Sequence, residues 1–224
     1  MTTGFIKLSG VSRTYPSSSG GIHALKNVDL EIQRTEFLAV VGQSGSGKST
    51  LLAMLSGIDR PSSGEIHFDG TPVHSLSEKE MSEWRGKNVG IVFQFFQLIP
   101  TLTGAENVML PMDFAGSRRS GERFDRAMAL LEQLGVADQA HKLPSTMSGG
   151  QQQRIAVARA LANDPAVLLA DEPTGNLDSR TAQSLLDILT RLRSAGQTVV
   201  LVTHDDRARS VASRAVTLVD GRIA

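Results

Sequence analysis

Gly42-Gln43-Ser44-Gly45-Ser46-Gly47-Lys48-Ser49-Thr50 stands between two apolar runs, Phe37-Leu38-Ala39-Val40-Val41 before it and Leu51-Leu52-Ala53-Met54-Leu55 after it. The first run predicts a buried strand and the second a helix. Strand, glycine-rich turn and helix is the context in which the pattern G-x-x-x-x-G-K-[ST] binds phosphate. Gly42, Gly45 and Gly47 let backbone N–H groups curl around an anion, and the new helix adds the positive end of its dipole. Lys48 supplies a point charge for the terminal phosphates, and the Ser49 hydroxyl is a candidate Mg²⁺ ligand. Ser44, Ser46 and Thr50 complete a stretch expected to hold a nucleoside triphosphate. A flexible Gly/Ser loop is the plain alternative, and the strand and helix on either side weigh against it.

The chain has 224 residues, enough for one large α/β domain or two small ones. Hydrophobic residues make up 40% and charged residues 21%, which predicts a soluble globular protein. Lys+Arg and Asp+Glu both total 23, so there is no global field to attract nucleic acid or an anionic membrane. Cysteine is absent, which is read as excluding disulfides, zinc sites and thiol nucleophiles and fits a cytoplasmic protein. The N-terminus is too polar and too short for a secretory signal. No apolar run approaches the ~18 residues of a membrane span, so any membrane role belongs to a partner.

Along the chain, 5–11 and 28–32 alternate as strands, with a Pro-Ser-Ser-Ser-Gly-Gly loop at 16–21. Gly57 is placed to end the helix after the phosphate loop, Pro61-Ser62-Ser63-Gly64 reads as a turn, and 65–70 as a short strand. Ser77 and Glu80 predict a capping box for a helix over 77–84, followed by a strand over 88–93. Helices dominate 104–163. Phe124, Met128, Leu131 and Leu134 fall at helical spacing and are expected in the core. Strands at 167–170, 198–203 and 215–219 then alternate with a helix at 179–194 and a shorter one. That alternation predicts a mainly parallel sheet with right-handed crossovers. The expected fold is α/β: one domain over 1–224, an antiparallel β-layer near the N-terminus and a helical insertion at about 95–160.

Asp171-Glu172 closes a strand at the edge where open α/β sheets bind ligands. Asp171 is the candidate beside Mg²⁺ and Glu172 the candidate base for water. Ser148-Gly149-Gly150-Gln151 is a second glycine-rich helix start, hence either a second anion cradle or an ordinary cap. Two cradles but one loop bearing a Lys would be reconciled by a head-to-tail dimer, in which this start closes the partner's site. Gln94 and His204 each follow an apolar strand and reach the same edge, as sensors of phosphate, metal and water or as solvated strand ends. Tyr15, the single tyrosine, is a candidate for stacking on a base or for packing. The apolar stretch Phe95-Phe96-Gln97-Leu98-Ile99-Pro100 is either a partner surface or a packed loop. His23, His67, His74 and His141 carry no pattern and read as surface residues.

In this order the motifs resemble the nucleotide-binding subunit of an ABC transporter over essentially the whole chain. Residues 42–50 look like its Walker A loop, Gln94 like the Q-loop glutamine, and Ser148-Gly149-Gly150-Gln151 like the family signature, with Met147 where Leu is usual. Residues 167–171 with Glu172 resemble Walker B and the catalytic glutamate. Gly175-Asn176-Leu177-Asp178 resembles the D-loop, His204 the switch histidine and Tyr15 the adenine-stacking aromatic. Leu98-Ile99-Pro100-Thr101-Leu102-Thr103, Glu106-Asn107-Val108 and the run 171–178 are similar to the MacB, LolD and FtsE group.

The resemblance implies an ATP hydrolase using Mg²⁺, with Glu172, His204 and Gln94 as catalytic residues and Ser49, Gln94 and Asp171 around the metal. It also implies an ATP-closed homodimer beneath a separate permease contacted through about 95–112, peripheral on the inner face of the membrane. Export, lipoprotein release and mechanical signalling are the roles it leaves open. A DNA- or ribosome-associated ATPase would need long coiled coils or two motif sets, and residues 51–147 hold no sustained heptads. A GTPase would need an N-K-x-D motif, which is absent.

Overall fold

The structure, a computed structural model, describes residues 4–17, 20–116 and 119–224, so part of the loop expected at 16–21 lies outside the described residues. The first half runs β1 (Ile6–Tyr15), β2 (Ile22–Ile32), β3 (Phe37–Val41), α1 (Lys48–Ser56), β4 (Ser63–Phe68), β5 (Thr71–Pro72), α2 (Glu78–Asn88) and β6 (Val89–Val92). Three helices follow: α3 (Gly104–Ala115), α4 (Ser120–Gln133) and α5 (Gly149–Ala160). The chain then continues through β7 (Val167–Asp171), α6 (Ser179–Ser194), β8 (Thr198–Thr203), α7 (Arg207–Val211), β9 (Arg214–Val219) and β10 (Arg222–Ile223).

Two sheets form. One is antiparallel, in the order β2-β1-β4-β5; the other has the order β10-β9-β3-β8-β7-β6 and is parallel except for β10. The near-continuous apolar runs of the central strands follow from burial on both faces. Phe37, Ala39, Leu168, Ala170, Val199 and Leu201 point into one core, shared with α3 to α6. Leu38, Val40, Val167, Leu169, Val200 and Val202 point into the other, shared with α1 and the antiparallel sheet. This places the C-terminal ends of β3, β6, β7 and β8 along one edge, where α1 begins.

Several local readings shift. Ser63 and Gly64, expected in a turn, open β4. The helix begun by the Ser77–Glu80 capping box runs on to Asn88. Trp84 sets its ring edge-on against Phe68 at 5.0 Å, and the Asn88 amide donates to the Trp84 carbonyl at 2.8 Å, which extends the last turn. Phe124 is not in the core: it is 38% exposed and stacks on His141. Leu131 and Leu134 are buried as expected and Met128 packs against the same core, which Ala127 and Leu130 complete, so only Phe124 departs from the stripe. The last strand, β10, is only two residues long and gave no periodic signal.

Candidate active site

The turn from β3 into α1 is shaped for close approach of its backbone to a ligand. Gly47 has φ 104°, and a Cβ there would fall 2.4 Å from the Ala24 carbonyl. No side chain caps the helix it opens. Lys48 is buried, donating from Nζ to the carbonyls of Gly42 at 2.8 Å and Gln43 at 2.9 Å. Ser46 Oγ is buried with no partner among the described residues. The loop lines a cavity of about 650 Å³ together with Gln94, Glu172 and His204. Ile22, His23 and Ala24 of β2 complete the wall, so His23, read as a plain surface residue, belongs to it. Its Nδ1 lies 2.9 Å from Thr14 Oγ1.

The acidic strand end meets the loop directly. The Ser49 hydroxyl donates to Asp171 Oδ1 at 3.2 Å. Burial pushes the Asp171 carboxyl above its ordinary value, the Ser49 hydrogen bond opposes this, and the neighbouring Glu172 charge adds to the rise. Two adjacent oxygen donors suit a hard cation that keeps phosphate and water as its other ligands. No cluster of three or more metal-binding side chains occurs among the described residues, so the protein alone forms no closed cage.

Glu172 sits one residue beyond β7 with φ 45°, a strained position for a side chain of its size. Its backbone N–H donates to the Val202 carbonyl at 2.9 Å, which ties the strained residue to β8. The carboxylate is only 13% exposed and is gripped from two sides. Oε1 lies 3.5 Å from Lys48 Nζ. Oε2 lies 2.7 Å from His204 Nδ1 and accepts from the His204 backbone N–H and the Thr203 hydroxyl, each at 3.3 Å. Thr203 was not legible as a site residue, because a buried Thr at a strand end is indistinguishable from packing.

Three sequence-derived candidates lie outside this cavity wall. Ser148, Gly149, Gly150 and Gln151 open α5 at the surface, closed on themselves: Gln151 N–H donates to Ser148 Oγ at 3.3 Å and Ser148 N–H to Gln151 Oε1 at 2.8 Å. Asp178 caps α6, accepting from the Arg180 and Thr181 N–H groups at 3.0 Å, and the Thr181 hydroxyl foremost holds its carboxyl below the usual range. These two starts adjoin, since a Cβ on Gly150 would fall 2.6 Å from Thr181 Cγ2. Tyr15 pairs across the strands with Ile22, one strand back from the wall. Its hydroxyl donates to Asp59 Oδ2 at 2.8 Å, and the Arg13 guanidinium covers its ring at 4.6 Å.

A phosphate cradle and an acidic strand end share one cavity, while a second glycine-rich helix start lies outside it; that is the plan of a phosphate-loop nucleotide-binding cassette. A model of the family described as ABC transporter matches residues 25–175. The ATP-binding protein LolD of the lipoprotein-releasing system of Bacteroides thetaiotaomicron is 46% identical over 219 residues, 97% of this chain and 98% of that protein. The macrolide export ATP-binding/permease protein MacB 1/2 of Paracoccus denitrificans is 48% identical over 97% of this chain, which spans 32% of its length. A bacterial ABC transporter cassette solved as a dimer is 43% identical with a TM-score of 0.90, covering 97% of this chain and 96% of that one. The same cassette, solved as a dimer in a post-hydrolysis state bound to ADP and Pi, matches at 42% identity with the same TM-score. The chain belongs to the ABC transporter family, as one of its ATP-binding cassettes.

Proposed function

We propose that this chain binds and hydrolyses ATP, closes on it as a dimer of two copies, and uses that cycle to drive a membrane permease. The observation that carries the reading is the division of the site. Residues 42–50, Gln94, Asp171, Glu172 and His204 meet at one sheet edge, while Ser148-Gly149-Gly150-Gln151 and Asp178 adjoin on the surface. The relative solved as a dimer supports supplying that second set from another copy.

In this reading the 42–50 backbone and Lys48 hold the phosphates, and Tyr15, one strand behind the cavity wall, stacks on the base. Ser49, Asp171 and Gln94 hold Mg²⁺, which supplies charge neutralisation at the terminal phosphates. Glu172 orients and deprotonates the attacking water. Lys48 and His204 fix its carboxylate, and His204 also reaches the terminal phosphate. The start of α5 in the second copy closes the site. Replacing Glu172 with Gln keeps the shape and removes the base. Phosphate release should fall roughly 10²–10⁴-fold, and light scattering should find ATP-bound dimers accumulating. Hydrolysis at the wild-type rate in E172Q would remove Glu172 from this role.

The permease contact is assigned to residues 95–112. Phe95 in that stretch is 72% exposed, and a cleft of about 980 Å³ between α2, β6 and α3 includes Leu110, Pro111 and the 84%-exposed Phe114. Apolar surface of this kind, rimmed by charge, marks a protein partner. No helix among the described residues is long and apolar enough to cross a membrane; the relatives named as parts of lipoprotein-releasing and macrolide-export systems support a peripheral position on the inner face beneath that permease. A formal net charge of zero gives no reason to expect nucleic acid. Co-purification with a membrane permease tests this half of the reading.

A further inference from the structure

Arg159, in the last turn of α5, directs its charged fork at backbone. Nη1 donates to the Gln97 carbonyl and Nη2 to the Phe96 carbonyl, each at 2.6 Å. It has no carboxylate partner among the described residues, and burial is what shifts it, downward. The two carbonyls belong to consecutive left-handed residues, with φ 53° at Phe96 and 49° at Gln97. Non-glycine residues are sterically disfavoured there, so a bend built from two of them needs support from outside. Charge-assisted hydrogen bonds from a planar fork are suited to give it.

The bend comes one residue after Gln94, which lines the nucleotide cavity and whose carbonyl accepts from Asn176 Nδ2 at 3.2 Å. On its far side the chain is fixed by the fully buried Asn107 of α3. Asn107 Oδ1 accepts from Ile99 N–H at 2.8 Å, and its Nδ2 faces the carbonyls of Ile99, Leu102 and Thr103 at 2.9–3.1 Å. Residues 96–103 are therefore carried by α5 and α3, while Gln94 is held from the other side by the turn after β7.

We propose that Arg159 is a positioning residue for ATP hydrolysis, tying Gln94 to α5 so that closure of a second copy on the start of that helix is felt at the cavity of the same chain. Gly149 and Arg159 lie on one 12-residue helix, about 15 Å apart at 1.5 Å per residue, and a helix transmits such a displacement as a rigid rod. The transmission between copies rests on the dimer reading above; the positioning of Gln94 by Arg159 does not.

The test compares wild type, R159M and R159K in steady-state hydrolysis and in titration with a fluorescent ATP analogue, with light scattering in the E172Q background. R159M should lower kcat roughly ten- to hundred-fold, the range expected when a catalytic group is misplaced by about an ångström. Analogue affinity should match wild type, and E172Q/R159M should still dimerise on ATP. R159K, which keeps a cation but not the fork, should recover part of the loss. A wild-type kcat in R159M, or kcat and affinity falling together, overturns the assignment. If R159M does not fold, R159K decides, and a wild-type kcat there overturns it too. If E172Q itself stays monomeric with ATP the dimer reading falls instead, and the kcat comparison still judges Arg159.

Discussion

Two helices in this molecule begin with glycine-rich turns, and they end their backbones in opposite ways. α1 follows Gly47, which has no side chain to cap it, and its first N–H groups open on a cavity beside a buried Lys48. α5 follows Ser148 and is shut by a reciprocal box in which Ser148 and Gln151 take each other's N–H groups. Every helix start leaves its first N–H groups without an intrahelical partner. At α1 they are left for a ligand inside a walled site. At α5 the box satisfies the Ser148 and Gln151 groups, on a turn that lies outside the cavity wall. The difference teaches what a phosphate site requires beyond a glycine motif: orphan donors and enclosure together. One copy of the chain supplies both at α1 and only the donors at α5.

The largest effect on this contrast should come from closing the first cradle. Gly47→Ala forces a methyl against the Ala24 carbonyl in a backbone conformation that costs about 1–3 kcal/mol for a residue with a side chain. At roughly tenfold per 1.4 kcal/mol, affinity for a fluorescent ATP analogue should drop about ten- to hundred-fold. Wild-type affinity would mean that the loop's shape is not what holds phosphate.

Gly149→Asp addresses the second start alone. The nearest atom to a Cβ there is Leu177 Cδ2 at 3.9 Å, so the fold accepts the side chain, and an acid at a helix N-terminus adds about 0.3–1 kcal/mol of stability. Analogue binding should be unchanged and melting temperature equal or slightly raised. ATP-driven dimerisation of E172Q should nevertheless be lost, because a carboxylate then faces the partner's phosphates. Persisting dimers would mean that the start of α5 does not face the partner's phosphates.

The smallest effect is on the cap itself. Ser148→Ala removes one half of the box, a loss of about 1 kcal/mol, which in a protein of this size lowers the melting temperature by roughly 2–4 °C. Analogue affinity should not move, since the box does not touch the cavity. A calorimetric scan showing no shift would mean that solvent satisfies the Gln151 N–H as well as Ser148 does.

Much of this was legible in the sequence because the chemistry is contiguous. Three glycines and a Lys-Ser pair within nine residues, directly after an apolar strand, specify the loop at 42–50, and Asp171-Glu172 declares itself at the end of an apolar run. What stayed hidden depends on contacts between segments far apart in the chain. Nothing near Thr203 announces that its hydroxyl reaches Glu172, and His23 joins the cavity only because β2 passes beside the loop. Arg159 reads as one more basic residue on an ordinary helix until the carbonyls of Phe96 and Gln97 are placed under it. The stripe through Met128, Leu131 and Leu134 was legible from its period, but period alone does not show where packing stops: Phe124, in the early turns of α4, lies beyond the core and stacks on His141 instead.

The central strands carry one further consequence. β3, β7 and β8 send alternate side chains into both cores. A substitution such as Val200→Ala opens space on one face, but the strand it loosens is also the wall of the other. The two hydrophobic layers therefore share a single fate in unfolding, and the sheet edge bearing Asp171 and Glu172 holds its shape only while both remain intact.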